Sequence, residues 1–107
     1  MRSGATLLGG LGLWLGAALA WAQTVAEVGI LNYHYHPHEL RVKAGTTVRW
    51  VNQEKRTSHS ILFLGKDGFE SERIFPGERW ERRFDAPGRY EYSCGPHPEM
   101  KGVVIVE

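Results

Sequence analysis

The segment Cys94-Gly95-Pro96-His97-Pro98-Glu99-Met100 places a thiol, an imidazole and a thioether at every third position. Thiolate and imidazole groups suit copper, and two His, one Cys and a weakly bound Met form the ligand set of copper sites that transfer electrons. This segment contains three of the four groups, so a second histidine must come from elsewhere in the chain. His59 is the candidate, because it begins a segment of alternating apolar residues that could reach the same place.

The rest of the chain predicts the β-strands that would bring these groups together. From Thr24 onward, apolar residues recur with a period near two, and no sustained helical period is present. Seven to eight short strands with turns between them favour an all-β, antiparallel sandwich or barrel. The predicted strands are Val25–Leu31, Tyr33–His36, Leu40–Val42, Thr46–Val51, His59–Leu64, Arg79–Phe84, Arg89–Cys94 and Val103–Val106.

The expected direction of the side chains also places His59 near Cys94. His59 shares a strand face with Ile61 and Phe63, and Cys94 shares one with Tyr92, since side chains two apart lie on one face. Both faces are apolar, so we expect them to point inward. His59 starts its strand and Cys94 ends its own, and in neighbouring antiparallel strands these two positions lie at the same end of the sheet.

The first 22 residues predict a signal peptide for export to the periplasm. Arg2 supplies a positive charge, Leu7–Ala20 is an uncharged apolar run, and Ala20-Trp21-Ala22 has the small residues of a cleavage site. The run is shorter than the roughly 20 apolar residues of a transmembrane helix. Residues 23–107 would then form one mature domain. Whether the leader is cleaved or kept as an anchor stays open.

The charge and the cysteine content of the chain reduce the number of functions that are compatible with the sequence. The chain has 13 Lys and Arg against 12 Asp and Glu, so it lacks the basic excess that nucleic-acid binding requires. Cys94 is the only cysteine, whereas exported proteins normally use cysteines in pairs for disulfides. A lone cysteine is most simply a buried, inert thiol. The nearby imidazole and thioether favour a metal ligand instead.

The chain from Asn52 to Glu107, and less closely from Tyr33 onward, resembles the cupredoxins, the small blue copper proteins, and within them the amicyanin and plastocyanin group. The resemblance rests on five matching pieces. They are Lys43–Val48, Trp50-Val51-Asn52, the His59-x-Ile61-x-Phe63 segment, Pro87–Cys94, and the final loop with two residues on either side of His97.

Membership would imply a Greek-key β-sandwich with one copper ion, bound by His59, Cys94, His97 and Met100. Such proteins shuttle single electrons and have an intense blue absorption band. Four protein ligands leave no open position for a substrate, which argues against an enzyme. The resemblance implies a monomer that meets redox proteins transiently, with a quinoprotein dehydrogenase as donor and a c-type cytochrome as acceptor. The alternative is a periplasmic copper chaperone that delivers metal rather than electrons.

Two features fit the amicyanin pattern less well. Ser60 stands where the family commonly has an Asn that ties two ligand loops together, so we expect Ser60→Asn to shift the reduction potential. The Asn52–His59 loop looks longer than in amicyanins and has Ser58 instead of a Pro before the ligand. Apart from this pattern, the sequence has a second histidine cluster, which is either an exposed polar face or a second metal site. Its members are His34, His36 and His38.

Overall fold

Eight short strands form the part of the chain that the structure describes, residues 24–107 of a computed structural model. The signal peptide predicted at residues 1–22 lies outside the described residues. Residues 24–107 contain no helix that is long and apolar enough to cross a membrane. In chain order the strands are β1 (Val25–Leu31), β2 (His34–His36), β3 (Glu39–Val42), β4 (Thr46–Asn52), β5 (Leu62–Phe63), β6 (Arg79–Phe84), β7 (Gly88–Ser93) and β8 (Lys101–Val106).

The strands form two four-stranded sheets, in the orders β2-β1-β4-β6 and β3-β8-β7-β5. The predicted all-β architecture is confirmed, but both sheets are mixed rather than purely antiparallel. β1 pairs with β4 and β3 pairs with β8 in parallel, and the other pairs are antiparallel. The parallel pairs arise because the chain crosses to the second sheet for β3 before it returns with β4.

Trp50 on β4 lies at the centre of the core and is fully buried. Its ring lies 5.4 Å from Tyr92, 5.5 Å from Trp80, 6.2 Å from Phe63 and 6.4 Å from Phe84, measured between centroids. A buried aromatic side chain removes about 150–250 Å² from water, which corresponds to about 4–6 kcal/mol at 25 cal/mol/Å² before the entropy cost. The two sheets are therefore held together largely by aromatic residues.

The strand that the sequence predicts from His59 onward is mostly absent, and this part of the prediction is wrong. Only Leu62–Phe63 pairs as a strand, opposite β7. His59 instead forms an isolated bridge with Ile74, through backbone hydrogen bonds of 3.1 and 2.8 Å. Two residues later, Ile61 N donates to the Ser71 side chain at 2.9 Å. The backbone therefore leaves the regular ladder just where His59 turns towards Cys94.

Candidate metal centre

Three of the four predicted ligands meet at one end of the sandwich. Cys94 Sγ lies 3.6 Å from Nδ1 of His59 and 3.7 Å from Nδ1 of His97. Their ligand atoms all lie within 4.8 Å of one another. His59 and Cys94 are fully buried, whereas His97 is half-buried. The mid-chain histidine and the C-terminal loop therefore converge as the sequence predicts.

The loop after β7 is a closed turn that brings Met100 back beside Cys94. Cys94 N donates to Met100 O at 3.1 Å, and Met100 N donates to His97 O at 2.9 Å. Met100 is only 3% exposed and packs in the core. These two backbone bonds bring the backbone of Met100 next to that of Cys94.

Glu54 orients the imidazole of His59 and is a site residue that the sequence analysis missed. Its Oε2 accepts a hydrogen bond from His59 Nε2 at 3.0 Å, which leaves Nδ1 free to face Cys94 Sγ. Burial lowers the pKa of His59, although the Glu54 carboxylate opposes this, so the ring is held neutral. A neutral imidazole is the form that binds a metal.

The same carboxylate holds a tyrosine over the site. Glu54 Oε2 also accepts from the Tyr33 backbone N at 2.9 Å. Burial would raise the pKa of Glu54, but the bonds from Tyr33 and His59 outweigh it and lower the pKa. The Tyr33 ring stands edge-on to both histidines, with centroids 5.5 Å from His59 and 4.8 Å from His97. An acidic residue in a polar loop has no distinguishing pattern, so sequence alone could not identify Glu54.

Ser60 links the two ligand loops although it is shorter than the expected Asn. Its Oγ accepts from Gly95 N at 2.9 Å and donates to Glu70 Oε2 at 2.7 Å. Its backbone N–H donates to Cys94 Sγ at 3.4 Å. Ser60 is fully buried, whereas Glu70 is an exposed residue, so the carboxylate reaches the Ser60 hydroxyl from the surface of the protein. A hydroxyl with a carboxylate partner thus supplies the connection between the loops.

The donor atoms fit a first-row metal ion. Nitrogen and sulfur ligands about 2.0–2.3 Å from one ion, and about 120° apart, lie roughly 3.5–3.8 Å from each other. The observed distances of 3.6 and 3.7 Å fall in this range. Two imidazoles, a thiolate and an adjacent thioether are the donor set that selects copper. The residues present therefore fit the cofactor that the sequence predicts.

The ring nitrogens of two members of the second histidine cluster, His34 and His36, lie close to backbone carbonyls. The rings of His34 and His36 lie 6.0 Å apart, but each points to a backbone carbonyl, Asn32 O at 2.7 Å and Leu31 O at 3.1 Å respectively. Among residues 24–107, the only group of three or more His, Cys or acidic donors close enough for a metal is the one around Cys94. This arrangement favours the exposed polar face over the second metal site.

Comparisons with known proteins show which family the chain is similar to. A family model described as copper-binding proteins of the plastocyanin/azurin family matches residues 22–107. The chain is 39% identical to amicyanin-alpha of Methylorubrum extorquens over 76% of this chain and 71% of the relative, and 36% identical to amicyanin of Paracoccus versutus over 87% and 86%. It is 34% identical to plastocyanin of Scenedesmus fuscus over 68% and 86%.

A solved structure of an amicyanin variant is also similar to this chain. The reduced Cu(I) form of an amicyanin variant at pH 4 has a TM-score of 0.73 and 33% identity, covering 84% of this chain and 89% of the variant. The resemblance found in the sequence is therefore confirmed.

Proposed function

The chain belongs to the plastocyanin/azurin family of copper-binding proteins, and we propose that it carries single electrons in the periplasm with one copper ion held by His59, Cys94, His97 and Met100. The observation that carries this proposal is the convergence of two imidazole nitrogens on one thiol sulfur, at 3.6 and 3.7 Å. The buried Met100, whose backbone bonds to Cys94, would supply the fourth donor.

Rigid positioning of the donors is the main contribution of this chain. His59 is fixed by its bridge to Ile74 and by Glu54, and Cys94 by its backbone bond to Met100. Bound copper would supply a one-electron Cu(II)/Cu(I) couple. Because these ligands are held by backbone and buried side-chain contacts, little of the protein would have to rearrange when the charge of the copper ion changes by one. Four protein ligands leave no position for a substrate, which supports a carrier rather than an enzyme.

His97 is the ligand that a redox partner can approach. It is half-buried, whereas His59, Cys94 and Met100 are buried. The exposed Pro98 follows it, and the 45%-exposed Tyr33 ring packs against its edge. Redox encounters use small, transient interfaces. The partners proposed are a quinoprotein dehydrogenase as donor and a c-type cytochrome as acceptor, met by the monomeric domain 23–107 after removal of the signal peptide.

The test is the addition of one equivalent of Cu(II) to purified protein, followed by visible absorption and voltammetry. An intense blue band and a reversible couple are the expected results. Cys94→Ala should abolish the band, and His38→Ala should retain it, since His38 lies outside the donor group. A pale, easily removed complex would refute electron transfer and indicate the metal-delivery alternative. A protein that binds no copper would refute both functions.

A further inference from the structure

We propose that Glu70 is a positioning residue of the copper site, which locks the two ligand loops together through Ser60 and sets the reduction potential with its negative charge. This inference rests on the proposed function, because a potential exists only if copper binds. Glu70 belongs to neither ligand loop and lies beyond Phe63, in the segment that follows β5.

The Ser60 hydroxyl has a single proton, and Glu70 is the group that accepts the hydrogen bond from it. Gly95 N–H can only donate, so Ser60 Oγ must accept this bond, which measures 2.9 Å. The hydroxyl proton must then point elsewhere, and it points to Glu70 Oε2 at 2.7 Å. Because a carboxylate accepts only, it fixes the direction of the proton and keeps a lone pair of Ser60 on Gly95. Without Glu70 the hydroxyl could rotate and the connection would weaken.

The absence of a side chain at position 95 is independent evidence for this arrangement. A Cβ placed on Gly95 would overlap Glu70 Oε2, and it would come within 2.9 Å of both Glu70 Cδ and Ser60 Oγ. The carboxylate therefore occupies the space directly beside the residue that follows Cys94. Only glycine at this position leaves room for it.

The backbone holds Glu70 in this place. Glu70 forms a bridge with Leu62, and its two neighbours bond to the same segment, with Phe63 N donating to Phe69 O at 2.8 Å and Ser71 N to Ile61 O at 2.9 Å. Within residues 24–107, Glu70 is in none of the ion pairs found, so its charge is screened by solvent rather than paired with a neighbouring cation. A fixed negative charge near a metal stabilises the higher oxidation state and lowers the reduction potential.

The first experiment compares Glu70→Gln with Glu72→Gln in the copper-loaded protein. Gln keeps an oxygen that can accept from Ser60 but removes the charge, so the potential should rise. We expect a three- to tenfold change in the relative affinity for the two oxidation states, or about 30–60 mV at 59 mV per tenfold. Glu72 is exposed like Glu70 and lies two residues further along the chain, but the Ser60 hydroxyl bonds to Glu70 and not to Glu72, so the Glu72 variant should show no such rise. Equal potentials in the two variants would overturn the electrostatic role of Glu70.

The second experiment tests the connection between the loops without copper. Glu70→Ala should accelerate hydrogen exchange of the Gly95 amide about tenfold in the metal-free protein, and Glu72→Ala should not. Gly95→Ala should displace the carboxylate and raise the potential in the loaded protein. Combining it with Glu70→Ala should then add no further rise, since both changes remove the same contact. An unchanged Gly95 exchange rate, or additive shifts, would overturn the positioning role.

These results separate this inference from the proposed function. A wild-type protein that stays colourless with copper refutes the electron carrier, yet the exchange rate of the Gly95 amide still reports on Glu70. A blue wild-type protein whose Glu70→Gln variant has an unchanged potential refutes the inference about Glu70 alone.

Discussion

Replacing Glu54 by Ala should destabilise the metal-free protein, because one buried carboxylate serves two donors. Its Oε2 accepts from His59 Nε2 at 3.0 Å and from Tyr33 N at 2.9 Å. The Glu54 side chain is 10% exposed and that of His59 is 0% exposed, so water cannot easily replace the bond between them. Loss of the carboxylate would leave the His59 N–H buried without an acceptor.

The expected loss in the free energy of unfolding is about 2–4 kcal/mol. A hydrogen bond to a charged group contributes about 1.5–3 kcal/mol when its partner is buried, and about 1 kcal/mol is assigned to the Tyr33 bond, whose donor lies in an exposed residue. The substitution also removes the cost of burying the Glu54 carboxylate, and this offsets part of the lost free energy of unfolding. Glu27→Ala is the matched control, since its bond to Arg49 is exposed and screened by solvent.

Urea denaturation of the reduced, metal-free proteins, followed by tryptophan fluorescence, measures these values. Because the pKa of Glu54 is lowered by folding, its contribution should be complete at pH 7 and disappear as the pH falls below the ordinary Glu pKa of about 4.3. Glu54→Gln should be intermediate, because the amide oxygen can still accept both bonds but lacks the negative charge that strengthens them. In the copper form, Glu54→Ala should weaken metal affinity about 10–100-fold. A loss at pH 7 no larger than that of Glu27→Ala would refute the reasoning.

Three further predictions concern the loop connection and the core. Ser60→Asn should shift the reduction potential because the larger group displaces Glu70 from its 2.7 Å bond; identical voltammograms would defeat this idea. Trp50→Ala should cost about 3–5 kcal/mol in urea denaturation because the fully buried ring leaves a cavity, and a cost below about 1 kcal/mol would contradict the assigned core. Burial raises the pKa of Tyr92 to about 12, whereas an unfolded Tyr loses its proton near 10. Stability should therefore fall between pH 10 and 12, by about 2–3 kcal/mol more in the wild type than in Tyr92→Phe, and equal slopes would count against this assignment.

Local patterns in the sequence were enough to predict the C-terminal half of the site. Cys94, His97 and Met100 lie within one short loop, and a spacing of three residues in a closed turn brings such groups to one side. Alternating apolar residues were enough to predict most of the strands, because residues two apart share a face whether the strand pairs in parallel or antiparallel. Both kinds of inference depend only on neighbours in the chain.

The pairing of strands was decided by tertiary structure. Period-two alternation is the same in parallel and antiparallel sheets, so it could not reveal that β1 pairs in parallel with β4. It also predicted a strand from His59, where the structure has an isolated bridge to Ile74. Ile74 is an ordinary apolar residue in the sequence, and only the folded chain places it opposite His59.

The residues that orient the ligands were also decided only by the fold. Glu54 and Glu70 are two carboxylates among 12 acidic residues, and nothing in their neighbours distinguishes them. Their roles arise because Glu54 meets His59 and Tyr33, and because Glu70 meets Ser60 beside Gly95. The sequence alone determined which side chains can donate to a metal, since donor chemistry belongs to each residue. Which groups orient those donors depends on which distant loops meet, and this follows from the packing of the whole sandwich.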